Sequence, residues 1–174
     1  MPTPRISHTS AARTAARAAE APSARQILAC NVLAVILRVA GPVITDVRPH
    51  ALGTPQRQVT VRLGDALLYL TDPQVAARIR QHWDAAVYLA TRLPEQVSPT
   101  WLGHVPDTYP LGVTLQPTAD MRLQTRWITA RPATSTPAHL RILVDRLVWQ
   151  VCDVQAWRTI GNALLAAQTH LEQQ

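Results

Sequence analysis

Residues 59–93 and 140–174 read as two copies of one module. The first runs VTVRLGDALLYLTDPQVAARIRQHWDAAVYLATRL and the second LRILVDRLVWQVCDVQAWRTIGNALLAAQTHLEQQ. Each gives two short apolar strands, an aspartate and an amphipathic helix. A shift of 81 residues brings Asp72 onto Asp153, Ile79 onto Ile160, Trp83 onto Leu164, Ala86 onto Ala167 and Ala90 onto Leu171. Literal identities are few, so the match lies in hydrophobic spacing. A chain patterned in this way is expected to form two similar halves. The helix of each half must cover the dry face of a sheet, or its apolar stripe stays in water.

Local signals place the elements. Asp72-Pro73 starts a helix: the carboxylate can accept from free first-turn amides, and proline fits the first helical position. Val75, Ile79, Trp83, Ala86, Val87 and Ala90 recur at helical spacing, and Pro94 stops the run. Asp153 caps the second helix, with the stripe Trp157, Ile160, Leu164, Ala167 and Leu171. Upstream, Ile27 to Val39 reads as a buried strand bounded by Gly41-Pro42, and Val43 to Arg48 as an alternating strand ended by Pro49. Gly64-Asp65 is a tight-turn pair between Val59–Leu63 and Ala66–Thr71. The second half repeats four strands, at Gly112–Gln116, Met121–Ala130, Leu140–Val144 and Leu147–Cys152. The expected fold is therefore α+β: duplicated antiparallel ββββα units, two four-stranded sheets each with one helix, around a pseudo-twofold axis. The expected boundaries are a disordered basic N-terminal arm (1–25), a first half (26–93), a Pro-rich linker (94–110) and a second half (111–174).

Composition narrows the function classes. All 17 basic residues are Arg, against 11 acidic ones, for a net charge of +6. The absence of Lys points to a GC-rich, bacterial coding sequence, so the position of each Arg says more than the total. Cys30 and Cys152 form no CxxC or Cys/His spacing, which suits free thiols in a reducing, cytoplasmic compartment. The longest apolar run, Ala29 to Val43, is interrupted by Arg38 and Gly41-Pro42 and is too short for a membrane span. GxSxG, HExxH, P-loop and GxGxxG patterns are absent. His8, His50, His82, His104, His139 and His170 are scattered without Cys or Asp partners at metal-ligand spacing. Helix capping accounts for Asp72 and Asp153, which otherwise look like a symmetric carboxylate pair. The expectation is no enzyme, no metal and no cofactor.

The Arg positions are the suggestive feature. Alternation puts Arg122, Gln124 and Arg126 on one strand face. It points Arg62 away from Val59, Val61 and Leu63, with Arg48 and Arg57 near it in sequence. Arg141 lies opposite Leu140, Ile142 and Val144, and Arg146 follows. Guanidinium groups on a wet sheet face form a track for phosphates. Two successive four-strand-plus-helix units over residues 27–172 resemble, in predicted topology, the Whirly and Pur-alpha group of single-stranded nucleic-acid binders; no signature motif and no residue is carried over. The expected function is thus non-enzymatic nucleic-acid binding, single strand favoured, through Arg48, Arg57, Arg62, Arg122, Arg126, Arg141, Arg146 and the basic arm. The alternative is an oligomeric interaction, assembly or accessory protein with a protein partner and no nucleic acid.

Overall fold

Among the described residues, alternating apolar runs become eight strands, and the two Asp-capped segments become helices. In chain order they are β1 (Val35–Val39), β2 (Thr45–His50), β3 (Gln58–Leu63), β4 (Ala66–Leu70), α1 (Pro73–Ala85), α2 (Val87–Ala90), β5 (Val113–Leu115), β6 (Leu123–Ile128), β7 (His139–Val144), β8 (Leu147–Val151) and α3 (Val154–Glu172). The computed structural model describes residues 34–97, 112–131 and 136–173. The expected arm, residues 98–111 of the linker region, and Cys30, Trp101, His104 and Tyr109 lie outside them.

Two four-stranded mixed sheets result. Sheet one has the order β2-β3-β4-β5 and sheet two the order β1-β8-β7-β6. Purely antiparallel sheets, each built from its own half, were expected. Instead β5 joins sheet one, running parallel to β4, and β1 joins sheet two, parallel to β8. Adjacent antiparallel strands need only a tight turn, as in β3-β4 and β7-β8, whereas a parallel neighbour requires a long connection. Hydrophobic periodicity carries no information about which edge such a distant strand will join.

The registers of the two sheets correspond. Gln58–Leu63 and Ala66–Leu70 map onto His139–Val144 and Leu147–Val151 by the 81-residue shift. Val59 pairs with Leu70, and Leu140 with Val151; Leu63 pairs with Thr45, and Val144 with Leu123; Ala66 pairs with Val113, and Leu147 with Val35. The two-residue turns match as well. Gly64 (φ 62°) and Asp145 (φ 55°) both occupy the left-handed region, which glycine adopts freely and aspartate tolerates better than most residues.

Each inward sheet face enters one core. Val59, Val61, Leu68 and Leu70 from sheet one, and Leu140, Ile142, Trp149 and Val151 from sheet two, are buried with Ile79, Trp83, Ile160 and Leu164 of the helices. Burying each such large side chain contributes roughly 1.5–3 kcal/mol. Helix α3 packs on β2 and β3, strands of the other half, as well as on α1. The α1 helix reaches sheet two, where Thr125 Oγ1 and His82 Nε2 share a 2.9 Å hydrogen bond.

The two helices cross closely. Trp83 Nε1 donates to the Trp157 carbonyl at 3.1 Å, and a Cβ at Gly161 would lie 3.2 Å from that indole nitrogen. A larger residue at Gly161 cannot enter without moving Trp83. Val87, expected on the buried stripe, is 50% exposed. The α1 helix ends at Ala86, whose amide bonds Trp83 O, and this tight turn shifts the phase so that Leu89 is buried instead. Pro49 lies within β2 rather than ending it. β2 is an edge strand, where the missing proline amide costs no ladder bond.

The two caps differ. Among the described residues, Asp72 Oδ1 accepts only from Gln74 N, at 2.7 Å. Asp153 is fully buried and accepts from Ala156 N at 2.8 Å, Gly41 N at 2.7 Å and Val97 N at 3.2 Å. One carboxylate thus joins the start of α3 to the β1–β2 connection and to the segment that follows α2.

Candidate nucleic-acid interface

Strand alternation dictates what each sheet offers to solvent. On sheet two, Leu123, Thr125 and Trp127 point inward with Leu140, Ile142 and Val144, so Gln124, Arg126, Arg141 and Leu143 point outward. The register sets Arg126 directly opposite Arg141, with Gln150 and then Arg38 continuing the same cross-strand row. Arg38 Nε donates to Gln150 Oε1 at 3.0 Å. None of the four strands of this sheet carries an acidic residue, and among the described residues Arg126 and Arg141 have no ion-pair partner. Like charges directly opposite each other destabilise a strand pair by about 0.2–1 kcal/mol. Gln124, Arg126, Arg141 and Leu143 line a depression of about 90 Å³ between β6 and β7.

The open part of this face lies over β6 and β7. Val148 and Cys152, which also alternate outward, are each only 1% exposed. Arg122 and Arg146 are exposed at the turn end of the sheet, where Asp145 N donates to the Arg122 carbonyl at 2.7 Å and Val35 N to the Arg146 carbonyl at 2.8 Å. At the other end His139 is buried, its Nδ1–H donating to Pro137 O at 2.9 Å. Desolvation by burial lowers its pKa below the usual 6.5, and the charges of Arg38 and Arg141 lower it further, against the Pro137 bond.

Sheet one presents a mixed face. Asp46, Arg48 and His50 of β2, Gln58, Thr60 and Arg62 of β3, and Leu67 and Tyr69 of β4 line a shallow groove of about 470 Å³. Arg48 Nε bonds Asp46 Oδ2 at 2.6 Å, with both side chains well exposed (71% and 41%). Arg62 stands opposite Asp46 in register and donates from Nε to Gly64 O at 3.1 Å.

The seven predicted arginines therefore do not share one surface. Arg122, Arg126, Arg141 and Arg146 belong to sheet two, and Arg48 and Arg62 to the outer face of sheet one. Arg57 precedes β3 and lines a separate depression with Pro55, Thr71 and Asp72. Sequence reasoning missed Arg38, because it interrupts an apolar run that reads as wholly buried. Its signal was there, since Ile36 and Arg38 alternate outward between Val35, Leu37 and Val39.

Other candidate chemistry is weak. Burial raises the Cys152 thiol to about 11, which disfavours the reactive thiolate. Among the described residues no group of three or more His, Cys, Asp or Glu could hold a metal, and no helix is long and apolar enough to cross a membrane. No family model, no curated protein and no solved structure matches this chain.

Proposed function

We propose that this is a non-enzymatic nucleic-acid-binding protein, single strand favoured, which seats the phosphate backbone on the outer face of sheet two. The observation that carries this reading is the Arg126–Arg141 pair, which faces across the ladder in a sheet without carboxylates. A phosphate between the two guanidinium groups relieves their repulsion and accepts bidentate hydrogen bonds. Arg38, Arg122 and Arg146 extend the positive surface. The corresponding registers support a further part of the reading: the two ββββα halves arose by duplication and are related by a pseudo-twofold axis, with the duplicated outer face altered in charge. Its compartment in this reading is the bacterial cytoplasm.

Fluorescence anisotropy with a labelled single strand tests it. Neutralising three to five phosphates gives a log–log salt slope of about −2 to −3.5. Arg126→Glu with Arg141→Glu should weaken binding about tenfold or more and flatten that slope. No binding at low salt, or equal binding by that double variant, sinks the reading. A second reading, assembly with a protein partner or another copy, draws on the neighbouring exposed Val87 and Tyr88 of α2. It requires a stable oligomer or complex and indifference to polyanions, which light scattering beside the same titration resolves.

A further inference from the structure

The groove on sheet one differs in kind from the arginine pair on sheet two. Its β4 side is an apolar floor, with half-buried Leu67 and Tyr69 facing outward. Its β2 and β3 sides are a charged wall. Among the described residues, Tyr69 is the single Phe, Tyr or Trp on the outer face of either sheet. Arg48, Thr60 and Tyr69 form one cross-strand row, and Asp46, Arg62 and Leu67 form the next. Two strand spacings, about 10 Å, separate β2 from β4, which is the reach of one nucleotide from base to phosphate.

We infer that this groove takes one base-plus-phosphate unit, with the ring of an unpaired nucleobase lying on Tyr69 and its phosphate held by Arg48 and Arg62. The inference rests on the nucleic-acid reading and deepens it by adding a base-contacting subsite. Aromatic faces stack every base, and arginine grips phosphate through its planar fork. Asp46 would oppose a bare polyanion, but it accepts from the amino or imino groups of a base edge. Its bond to Arg48 is solvent-exposed and opens at little cost, which frees both groups for a ligand. The ligand could be a free nucleotide or a nucleotide within a strand, and the arms of the experiment separate the two.

The experiment uses the full chain and three probes: a labelled base-bearing single strand, an abasic strand of equal length, and adenosine monophosphate. The native protein should prefer the base-bearing strand to the abasic one. Tyr69→Ala should erase that preference, lowering affinity for the base-bearing strand roughly tenfold while leaving the abasic strand unchanged, and Tyr69→Phe should restore it. Arg48→Ala with Arg62→Ala, at exposed positions where folding is not at stake, should weaken all base-bearing probes. Equal binding of the two strands, with no adenosine monophosphate bound at the Tyr69 face by NMR, overturns the inference. In that event loss of strand binding by the Arg126→Glu, Arg141→Glu variant leaves the general reading standing. Conversely, adenosine monophosphate bound at Tyr69 by a protein that ignores strands upholds the subsite and removes the strand reading.

Discussion

Sheet one and sheet two pair their strands in corresponding register, yet their solvent faces carry different chemistry. Asp46 sits between Arg48 and Arg62 on the first, while no strand of the second contributes a carboxylate. The inner faces of both must fill one close-packed core, so their side chains are held to apolar alternatives of suitable size. The outer faces escape that demand, and the two sheets differ there. The caps repeat the lesson. Asp72 satisfies one amide near the surface, whereas the buried Asp153 carboxylate satisfies three, one of them buried and two half-buried.

Cutting the chain between its two halves should have the largest effect. Each sheet borrows a strand from the other half and α3 covers β2 and β3, so a fragment ending before residue 98 and its complement should each lack a cooperative thermal transition by circular dichroism. Mixing them should restore one. A fragment that melts cooperatively by itself would contradict the exchanged arrangement.

The next largest effect should come from the caps. Asp153→Ala leaves one buried and two half-buried amides without this partner and should cost about 2–3 kcal/mol in urea unfolding. Asp72→Ala should cost about 1 kcal/mol. Equal losses would mean that the extra bonds of Asp153 contribute nothing. At the helix crossing, Gly161→Leu should cost about 1–3 kcal/mol through overpacking against Trp83, with Trp fluorescence reporting the displacement.

Smaller effects sharpen the contrast between the outer faces. Arg141→Thr should stabilise the free protein by a few tenths to about 1 kcal/mol at low salt, because it removes a like-charge pair, and the gain should fade at high salt. Arg48→Ala on sheet one should instead lose at most about 1 kcal/mol. The pH dependence should also contain a component from sheet two. The folded pKa of His139 lies below the unfolded value near 6.5, so the unfolded state takes up its proton first as pH falls. The stability from keeping His139 neutral is complete above that value and is lost as pH drops through it towards the folded pKa. His139→Gln should flatten this part of a urea-midpoint profile, and an unchanged profile would exclude His139 as its source.

Much of this was legible beforehand. The 81-residue shift matches β3, β4 and the α1 start to β7, β8 and the α3 start because two-residue turns, Asp caps and helical stripes are local. Arg62, Arg122, Arg126 and Arg141 face solvent as alternation predicts. Val87 escaped, because a turn at Ala86 changes helix phase without leaving a Pro or Gly mark. Arg38 escaped because whether an apolar strand is buried on both faces depends on its neighbours, and the division of the arginines between two sheets escaped for the same reason.

Periodicity and capping in the chain alone determined where most of the strands and the two long amphipathic helices lie, and for most strands which side meets water, since these follow from contacts only a few residues apart. Tertiary structure alone decided that β1 and β5 change sheets, that Asp153 gathers three amides and that Arg126 faces Arg141 beside Arg38. Those outcomes depend on pairing energies between segments distant in sequence, and no local pattern encodes which edge a strand will find.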